Sequence, residues 1–112
     1  MELETLVKGL EIEKINGSLD KDIVGICYNS RETKEKYLFV AIEGFKTDGH
    51  KYIEDAIKRG ATAIIVEKDV EILDEDITLI KVKDSRASLS KVSSNFYDSP
   101  SKNMEMIGIT GT

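Results

Sequence analysis

Two short polar stretches in the 112-residue sequence carry side chains that suit a ligand rich in oxygen atoms. The first, residues 28–32, reads YNSRE and follows a run typical of a β-strand. Ser30 offers a hydroxyl and Arg31 a guanidinium, and a turn at Asn29 would free backbone N–H groups. Together these groups suit carbonyl or phosphate oxygens. The same residue types favour turns and caps in any protein, so a plain capped turn is the alternative interpretation.

The second stretch, residues 44–50, reads GFKTDGH and lies between a buried apolar strand and a helix. In open α/β sheets, ligands collect beyond the carboxyl ends of the strands. Phe45 could stack on a flat ring, Lys46 could meet an anion, and Thr47 could donate or accept a hydrogen bond. The alternative interpretation is an ordinary loop closed by an Asp-Gly turn.

The sequence contains few residues that could form a catalytic site or a metal site. His50 is the only histidine and Cys27 the only cysteine, and no HxH, ExxH or CxxC spacing occurs. We therefore predict that His50 is a structural hydrogen-bonding residue and that Cys27, inside a strand pattern, belongs to the core. The residues alone predict a binding domain with no catalytic residue and no metal site of its own.

The sequence closes on an apolar run, residues 104–109, followed by Thr-Gly-Thr. A complete phosphate loop needs a glycine turn, a lysine, and a serine or threonine that opens a helix. Gly111 and Thr112 supply only the beginning of that pattern. A terminal strand with a frayed tip is the alternative interpretation.

Composition excludes several classes of protein. A length of 112 residues suits one domain, and the formal net charge of −5 comes with scattered lysines and arginines, which disfavours nucleic-acid binding. No apolar run approaches the roughly 20 residues that cross a bilayer, so we expect no membrane partner. The single cysteine and the lack of a secretion signal indicate a cytoplasmic protein.

The apolar patterning predicts an α/β fold, with a small Rossmann-like mixed or parallel sheet flanked by helices. Residues 37–66 read as strand, loop, helix and strand, which is a parallel crossover unit whose helix ends at Gly60. A further helix, residues 85–97, is expected to begin after an Asp84 cap. The remaining predicted elements are a helix over residues 1–10 and strands within 12–18, 22–30 and 78–83.

The order of these motifs resembles the N-terminal domain of the Mur ligase family. Residues 29–67, NSRETKEKYLFVAIEGFKTDGHKYIEDAIKRGATAIIVE, are similar to the family pattern D-S-R, P-G-D-L-F-V-A, a glycine, D-G-H, and G-A before an apolar strand. Residues 96–112, FYDSPSKNMEMIGITGT, resemble the passage into the ATP-binding domain, which continues N-G-K-T-T. The most similar pattern is that of the MurE type, the UDP-N-acetylmuramoyl-tripeptide synthetases.

This resemblance implies an organisation and an activity. Residues 1–98 would be the N-terminal domain that binds UDP-N-acetylmuramate (UDP-MurNAc), and residues 99–112 the linker and first strand of a truncated central ATP-binding domain. The full enzyme would be a ligase of bacterial peptidoglycan synthesis that uses ATP and magnesium. It would add diaminopimelate or lysine to UDP-MurNAc-L-Ala-D-Glu. The fragment would bind no cofactor, depend on the missing central and C-terminal domains, and be inactive alone.

Residue by residue, the resemblance implies substrate contacts at Tyr28, Ser30, Phe45, Lys46 and Thr47. It also implies that Gly111 and Thr112 begin the ATP phosphate loop.

The sequence departs from the family pattern at two places. Asn29 replaces the usual aspartate, and KEKY, residues 34–37, replaces the proline-glycine turn before the buried strand. Two other functions remain open: the same domain of the MurF type, which adds D-Ala-D-Ala, and a non-catalytic α/β interaction module.

Overall fold

The computed structural model describes residues 1–43, 48–72 and 74–97. These residues form one five-stranded sheet with helices on both faces. The strands are β1 (Ile12–Asn16), β2 (Gly25–Cys27), β3 (Tyr37–Val40), β4 (Ala63–Val66) and β5 (Thr78–Val82). The helices are α1 (Leu3–Leu6), α2 (Ile53–Arg59) and α3 (Ser85–Tyr97), and two 3₁₀ turns span Ser30–Glu32 and Gly49–Tyr52.

The sheet is mixed, as the sequence predicts. Its strand order is β1-β5-β4-β3-β2, and each strand from β2 to β5 runs parallel to its neighbour. Only the edge strand β1 is antiparallel, and it pairs with β5. The predicted α/β class is confirmed, and four parallel strands place their carboxyl ends on the same edge.

The central strands are apolar throughout because both of their faces are covered. Leu38 and Ile65 point to one face, where they pack with α1 and α3. Phe39 and Ile64 point to the other face, where they pack with α2. All four side chains are fully buried. This two-sided core holds β3 and β4 rigidly, and with them the segments that leave their carboxyl ends.

The predicted crossover unit is β3, α2 and β4. Helix α2 ends at Gly60, whose φ of +122° lies in the region that favours glycine. A Cβ there would lie 2.6 Å from the Cα of Glu35, so the position also requires the absence of a side chain. The Gly60 carbonyl accepts the Lys36 N–H at 3.0 Å, which joins the end of α2 to the turn before β3.

Helix α3 also begins where the sequence predicts. The Asp84 carboxylate accepts the Ala87 N–H at 3.1 Å, which is an N-cap hydrogen bond. Val92 is fully buried, and Leu89 and Phe96 pack partly buried beside it on the same helical face. Among the described residues, no helix is both long enough and apolar enough to cross a membrane.

Two predicted elements are shorter than their sequence patterns. Helix α1 covers only Leu3–Leu6, although Val7 continues its buried face, and Gly9 adopts a φ of +87° that ends the turn. Strand β2 pairs only with β3, over three residue pairs, because it lies at the edge of the sheet. At this edge Gly25 passes close to the Tyr37 ring, since a Cβ would lie 2.4 Å from that ring.

Candidate functional site

The carboxyl edge of the parallel strands carries the candidate site. Segments leave this edge at Tyr28 after β2, Ala41 after β3, Glu67 after β4 and Lys83 after β5. The first polar stretch begins directly there, and the second follows the β3 segment. In open α/β sheets this edge is the usual place for a ligand.

The turn after β2 is fixed by its own side chains. Asn29 is extended, with φ −114° and ψ 117°, and its Oδ1 accepts the Arg31 N–H at 3.0 Å. Beneath the turn, the buried Cys27 thiol lies 3.2 Å from the Thr33 hydroxyl. Asn29 therefore caps the turn as the aspartate of the family pattern could, because both side chains carry an oxygen at this position.

A cavity of about 450 Å³ opens above this turn. It is lined by residues of both polar stretches and their flanks: Tyr28, Asn29, Ser30, Arg31, Ile42, Gly49 and Tyr52. Two aromatic side chains, Tyr28 and Tyr52, remain 63% and 42% exposed, although most large apolar side chains are buried. The cavity thus combines two exposed tyrosines, a buried serine and an arginine, which is the mixture of residues expected of a small-molecule site.

Ser30 lies at the floor of the cavity and is only 6% exposed. Asp55 in α2 lies on the neighbouring element, and Arg59 Nε donates to its Oδ2 at 3.1 Å. The Ser30 side chain, and after it the Arg59 guanidinium, hold the pKa of Asp55 below its usual range.

The two ends of the second polar stretch are held together. The Gly49 N–H donates to the Ile42 carbonyl at 2.8 Å, and Glu43 and Asp48 form an antiparallel bridge. A Cβ at Gly49 would lie 2.7 Å from the Ile42 backbone nitrogen, so this close approach requires glycine. Phe45, Lys46 and Thr47 lie outside the described residues, and their predicted substrate contacts remain predictions.

His50 is a structural residue, as the sequence predicts. Its Nε2 accepts the Glu67 N–H at 3.0 Å, so the proton of the neutral ring is on Nδ1. Nδ1 then donates to Asp48 Oδ1 at 2.6 Å. Lys68 Nζ lies 2.5 Å from Asp48 Oδ2 and, with the His50 hydrogen bonds, holds the pKa of Asp48 well below its usual range. His50 thus joins the segment after β3 to the segment after β4.

Glu67 extends this network to the third segment at the edge. Its Oε1 accepts hydrogen bonds from the Ser85 N–H at 2.6 Å and from the Ser85 hydroxyl at 2.9 Å. Sequence reasoning missed Glu67, Ser85, Tyr52 and Asp55. For Glu67 a signal existed, because it is the first polar residue after a fully buried strand. The partners of the others depend on tertiary contacts that no local pattern shows.

The only cysteine of the chain lies beneath this edge, in the core. Burial raises the pKa of the Cys27 thiol, and the side chain is only 5% exposed, which confirms its assignment to the core. Within residues 1–43, 48–72 and 74–97, no group of three or more His, Cys, Asp or Glu residues could hold a metal ion. The arrangement suits binding and positioning of a ligand.

Two other cavities lie beside residues 68–72, with volumes of about 340 and 550 Å³. The smaller has a lysine rim, but Lys68 and Lys81 are already ion-paired with neighbouring carboxylates. Neither cavity includes Tyr28 or Ser30 among its described lining residues. The cavity above Ser30 is therefore the better candidate, although it is not the largest.

Residues 22–97 match the family described as "Mur ligase family, catalytic domain". The chain belongs to the Mur ligase family. The match runs from just before β2 to the end of α3 and so includes both segments that line the cavity. The predicted identity as a Mur ligase N-terminal domain is confirmed.

Curated relatives in this Mur ligase family match over the whole chain. Two of them, from Caldanaerobacter subterraneus subsp. tengcongensis and Clostridioides difficile, are each 48% identical over 112 residues. Both are named UDP-N-acetylmuramoyl-L-alanyl-D-glutamate--2,6-diaminopimelate ligase. The chain spans 23% of the length of each relative, so it corresponds to about one quarter of such a protein.

Solved Mur ligase structures share the fold. MurF from Acinetobacter baumannii has a TM-score of 0.66 at 21% identity, over 83% of this chain and 20% of that protein. MurF from Thermotoga maritima, solved in complex with ADP, has a TM-score of 0.53 at 35% identity, over 61% of this chain and 15% of that protein. The first likeness supports the α/β fold alone. The second agrees with the family assignment.

Proposed function

We propose that this chain binds the UDP end of UDP-N-acetylmuramoyl-L-alanyl-D-glutamate, as the N-terminal domain of a ligase that adds 2,6-diaminopimelate. One observation carries the proposal. Tyr28 and Ser30, which are expected to contact substrate, line the same cavity as Ile42 and Gly49. Ile42 and Gly49 lie on either side of Phe45, Lys46 and Thr47, the other expected substrate contacts. The choice of diaminopimelate over lysine follows from the names of the relatives that are 48% identical.

The cavity fits a pyrimidine nucleotide in size and chemistry. Its volume of about 450 Å³ falls in the range of small-molecule sites, roughly 300–1,000 Å³. Tyr28 and Tyr52 present the flat faces that a uracil ring needs, and Ser30 supplies a hydrogen-bonding group at the floor. Arg31 at the rim suits the diphosphate, which a guanidinium binds through paired hydrogen bonds. Phe45, Lys46 and Thr47 complete the proposed contacts.

In this proposal ATP and magnesium bind to another part of the ligase. Gly111 and Thr112, which are expected to begin the ATP phosphate loop, lie outside the described residues. Among the described residues, no group of three or more His, Cys, Asp or Glu residues could hold a metal ion. The task of the present chain is to hold the nucleotide so that the peptide end of the substrate reaches the reacting centre. We expect the chain alone to hydrolyse no ATP in a phosphate-release assay.

Calorimetric titration of the chain with UDP-N-acetylmuramoyl-L-alanyl-D-glutamate tests the proposal. We expect saturable binding of this compound and of UDP, and none of ADP at the same concentrations, because the cavity is proposed to read a pyrimidine. Equal binding of ADP, or no binding of either uridine compound at millimolar concentration, would contradict the proposal.

The MurF-type function is the second candidate, because the solved neighbours of this fold include MurF proteins. UDP binding would be common to both ligase types. A ligase assay of the full-length protein distinguishes the two types. A MurE-type enzyme should join diaminopimelate to its nucleotide substrate, and a MurF-type enzyme should join D-Ala-D-Ala.

A further inference from the structure

We propose that His50 is a positioning residue for the nucleotide: its hydrogen bond to the Glu67 N–H fixes the 3₁₀ turn Gly49–Tyr52 as a wall of the cavity above Ser30. This inference rests on the proposed binding of a uridine nucleotide in that cavity. Gly49 and Tyr52 line the cavity, whereas His50 is not among its described lining residues. His50 therefore acts through its neighbours in the turn and not by touching the ligand.

The turn that carries Gly49 and Tyr52 has little support of its own. It is a 3₁₀ helix of four residues, a form whose hydrogen-bond geometry is poorer than that of an α-helix. Inside it, the Lys51 N–H donates to the Asp48 carbonyl at 3.0 Å, and Asp48 Oδ1 caps the turn by accepting the His50 N–H at 3.0 Å. These bonds shape the turn, but its position against the segment after β4 depends on contacts outside it.

The His50 ring supplies such a contact. Its side chain is only 6% exposed, Nε2 accepts the Glu67 N–H at 3.0 Å, and Nδ1 donates to Asp48 Oδ1 at 2.6 Å. Because the same Asp48 oxygen caps the turn, the ring connects the start of the turn directly to the end of β4. The ion pair between Lys68 and Asp48 joins the same two segments, but the Lys68 side chain is 48% exposed, so water and salt weaken that connection.

Glu67 is a rigid anchor for this ring. It directly follows β4, in which all four residues are buried. Its Oε1 accepts hydrogen bonds from the N–H and from the hydroxyl of Ser85, at 2.6 and 2.9 Å, so α3 holds it as well. A turn tied to such an anchor cannot shift without breaking a hydrogen bond of the nearly buried His50 ring. The cavity wall is therefore ordered before the ligand arrives, which lowers the entropic cost of binding.

Dissociation constants of UDP for the wild-type chain, His50→Gln and His50→Asn test the proposal. Both substitutes are neutral amides that differ in length. The glutamine amide reaches the position of Nε2 and can accept the Glu67 N–H, whereas the asparagine amide ends near the position of Nδ1 and can serve only Asp48. We expect His50→Gln to keep the wild-type affinity within about twofold and His50→Asn to weaken it about three- to tenfold, the effect of one hydrogen bond.

Val92→Ala is the control for a general loss of stability. Val92 is fully buried on the α3 face of the sheet, away from this turn, so its truncation should lower the free energy of unfolding and leave the affinity for UDP unchanged. Equal affinities of the glutamine and asparagine variants for UDP would overturn the positioning role.

Hydrogen exchange of the wild-type chain provides a second test that needs no substitution. Because coupling is reciprocal, bound UDP must strengthen the Glu67–His50 hydrogen bond by the factor by which this bond strengthens UDP binding. We expect saturating UDP to slow exchange of the Glu67 amide about three- to tenfold more than exchange of the Thr62 amide. Thr62 is the reference because its N–H is bonded to the Tyr37 carbonyl, at the other end of β4.

The outcomes separate this proposal from the proposed function. If the wild-type chain binds UDP but His50→Asn keeps the wild-type affinity, the role of His50 is wrong while uridine binding stands. The same conclusion follows if UDP slows exchange of the Glu67 and Thr62 amides equally. If the wild-type chain does not bind UDP at millimolar concentration, the proposed function fails and this inference fails with it.

Discussion

At the scale of single residues, the site depends on side chains whose hydrogen-bonding direction is already fixed. Asn29 uses its Oδ1 to cap the turn after β2, and His50 uses both ring nitrogens to bridge two segments. A ligand entering the cavity therefore meets groups that need little reordering, which reduces the entropic cost of binding.

Ser30→Ala should weaken binding of UDP by about 0.5–1.5 kcal/mol, the net contribution of one hydrogen bond. The reason is that alanine removes the hydroxyl at the floor of the cavity while leaving its shape nearly unchanged. Isothermal titration calorimetry measures the difference. Ser90→Ala, an exposed serine on α3, is the control and should bind like the wild-type chain. An unchanged isotherm for Ser30→Ala would remove this residue from the site.

At the scale of elements, short connections hold the carboxyl edge in one geometry. The turn before β3 contains Lys36 with a φ of +64°, the only described non-glycine residue with a positive φ. The Tyr37 N–H donates to the Lys34 carbonyl across this turn at 3.3 Å. The family pattern has a proline-glycine turn here, so Lys36 occupies a conformation that glycine adopts without strain. Lys36 in place of the glycine therefore preserves the turn but lowers the stability of the folded chain.

Lys36→Gly should stabilise the chain by up to about 1 kcal/mol, because the relief of a left-handed backbone outweighs the added freedom of the unfolded chain. Urea denaturation measures the change in the free energy of unfolding. Lys34→Gly in the same turn is the control; its φ is not positive, so it should lose stability instead. Equal effects of the two substitutions would show that the backbone at Lys36 is not strained.

The network around Asp48 predicts how stability changes with pH. Lys68 and His50 lower the pKa of this carboxyl in the folded chain, so its contribution is fully present above the ordinary aspartate pKa, about 3.9. That contribution is lost as the pH falls below this value toward the folded pKa. Wild-type stability should therefore fall more steeply than that of Asp48→Asn between about pH 5 and pH 2.

Thermal unfolding followed by circular dichroism across this pH range checks the Asp48 prediction. The exposed Asp20→Asn variant provides a matched loss of charge and should follow the wild-type curve. Parallel curves for the wild-type chain and Asp48→Asn would contradict the assigned ion pair.

At the scale of the whole molecule, the sequence predicted the sheet better than the long-range contacts around the candidate site. Continuous apolar runs identify β3 and β4 because burial on both faces leaves no polar position. Gly60 and Asp84 mark helix ends through local backbone chemistry. The hydrogen bond from the Glu67 N–H to His50 Nε2 joins residues that are far apart in the sequence, so no local pattern reveals it. The short length of β2 likewise results from its position at the edge of the sheet, which the local sequence does not show.

Both polar stretches are proposed to serve one pocket for a uridine nucleotide. Two-dimensional ¹H–¹⁵N NMR of the chain, titrated with UDP-N-acetylmuramoyl-L-alanyl-D-glutamate, tests this proposal at every residue. We expect shift changes to concentrate in residues 28–31 and 42–52 and to leave the exposed face of α3 unchanged. Changes confined to one of these stretches, or centred on the cavities beside residues 68–72, would contradict it.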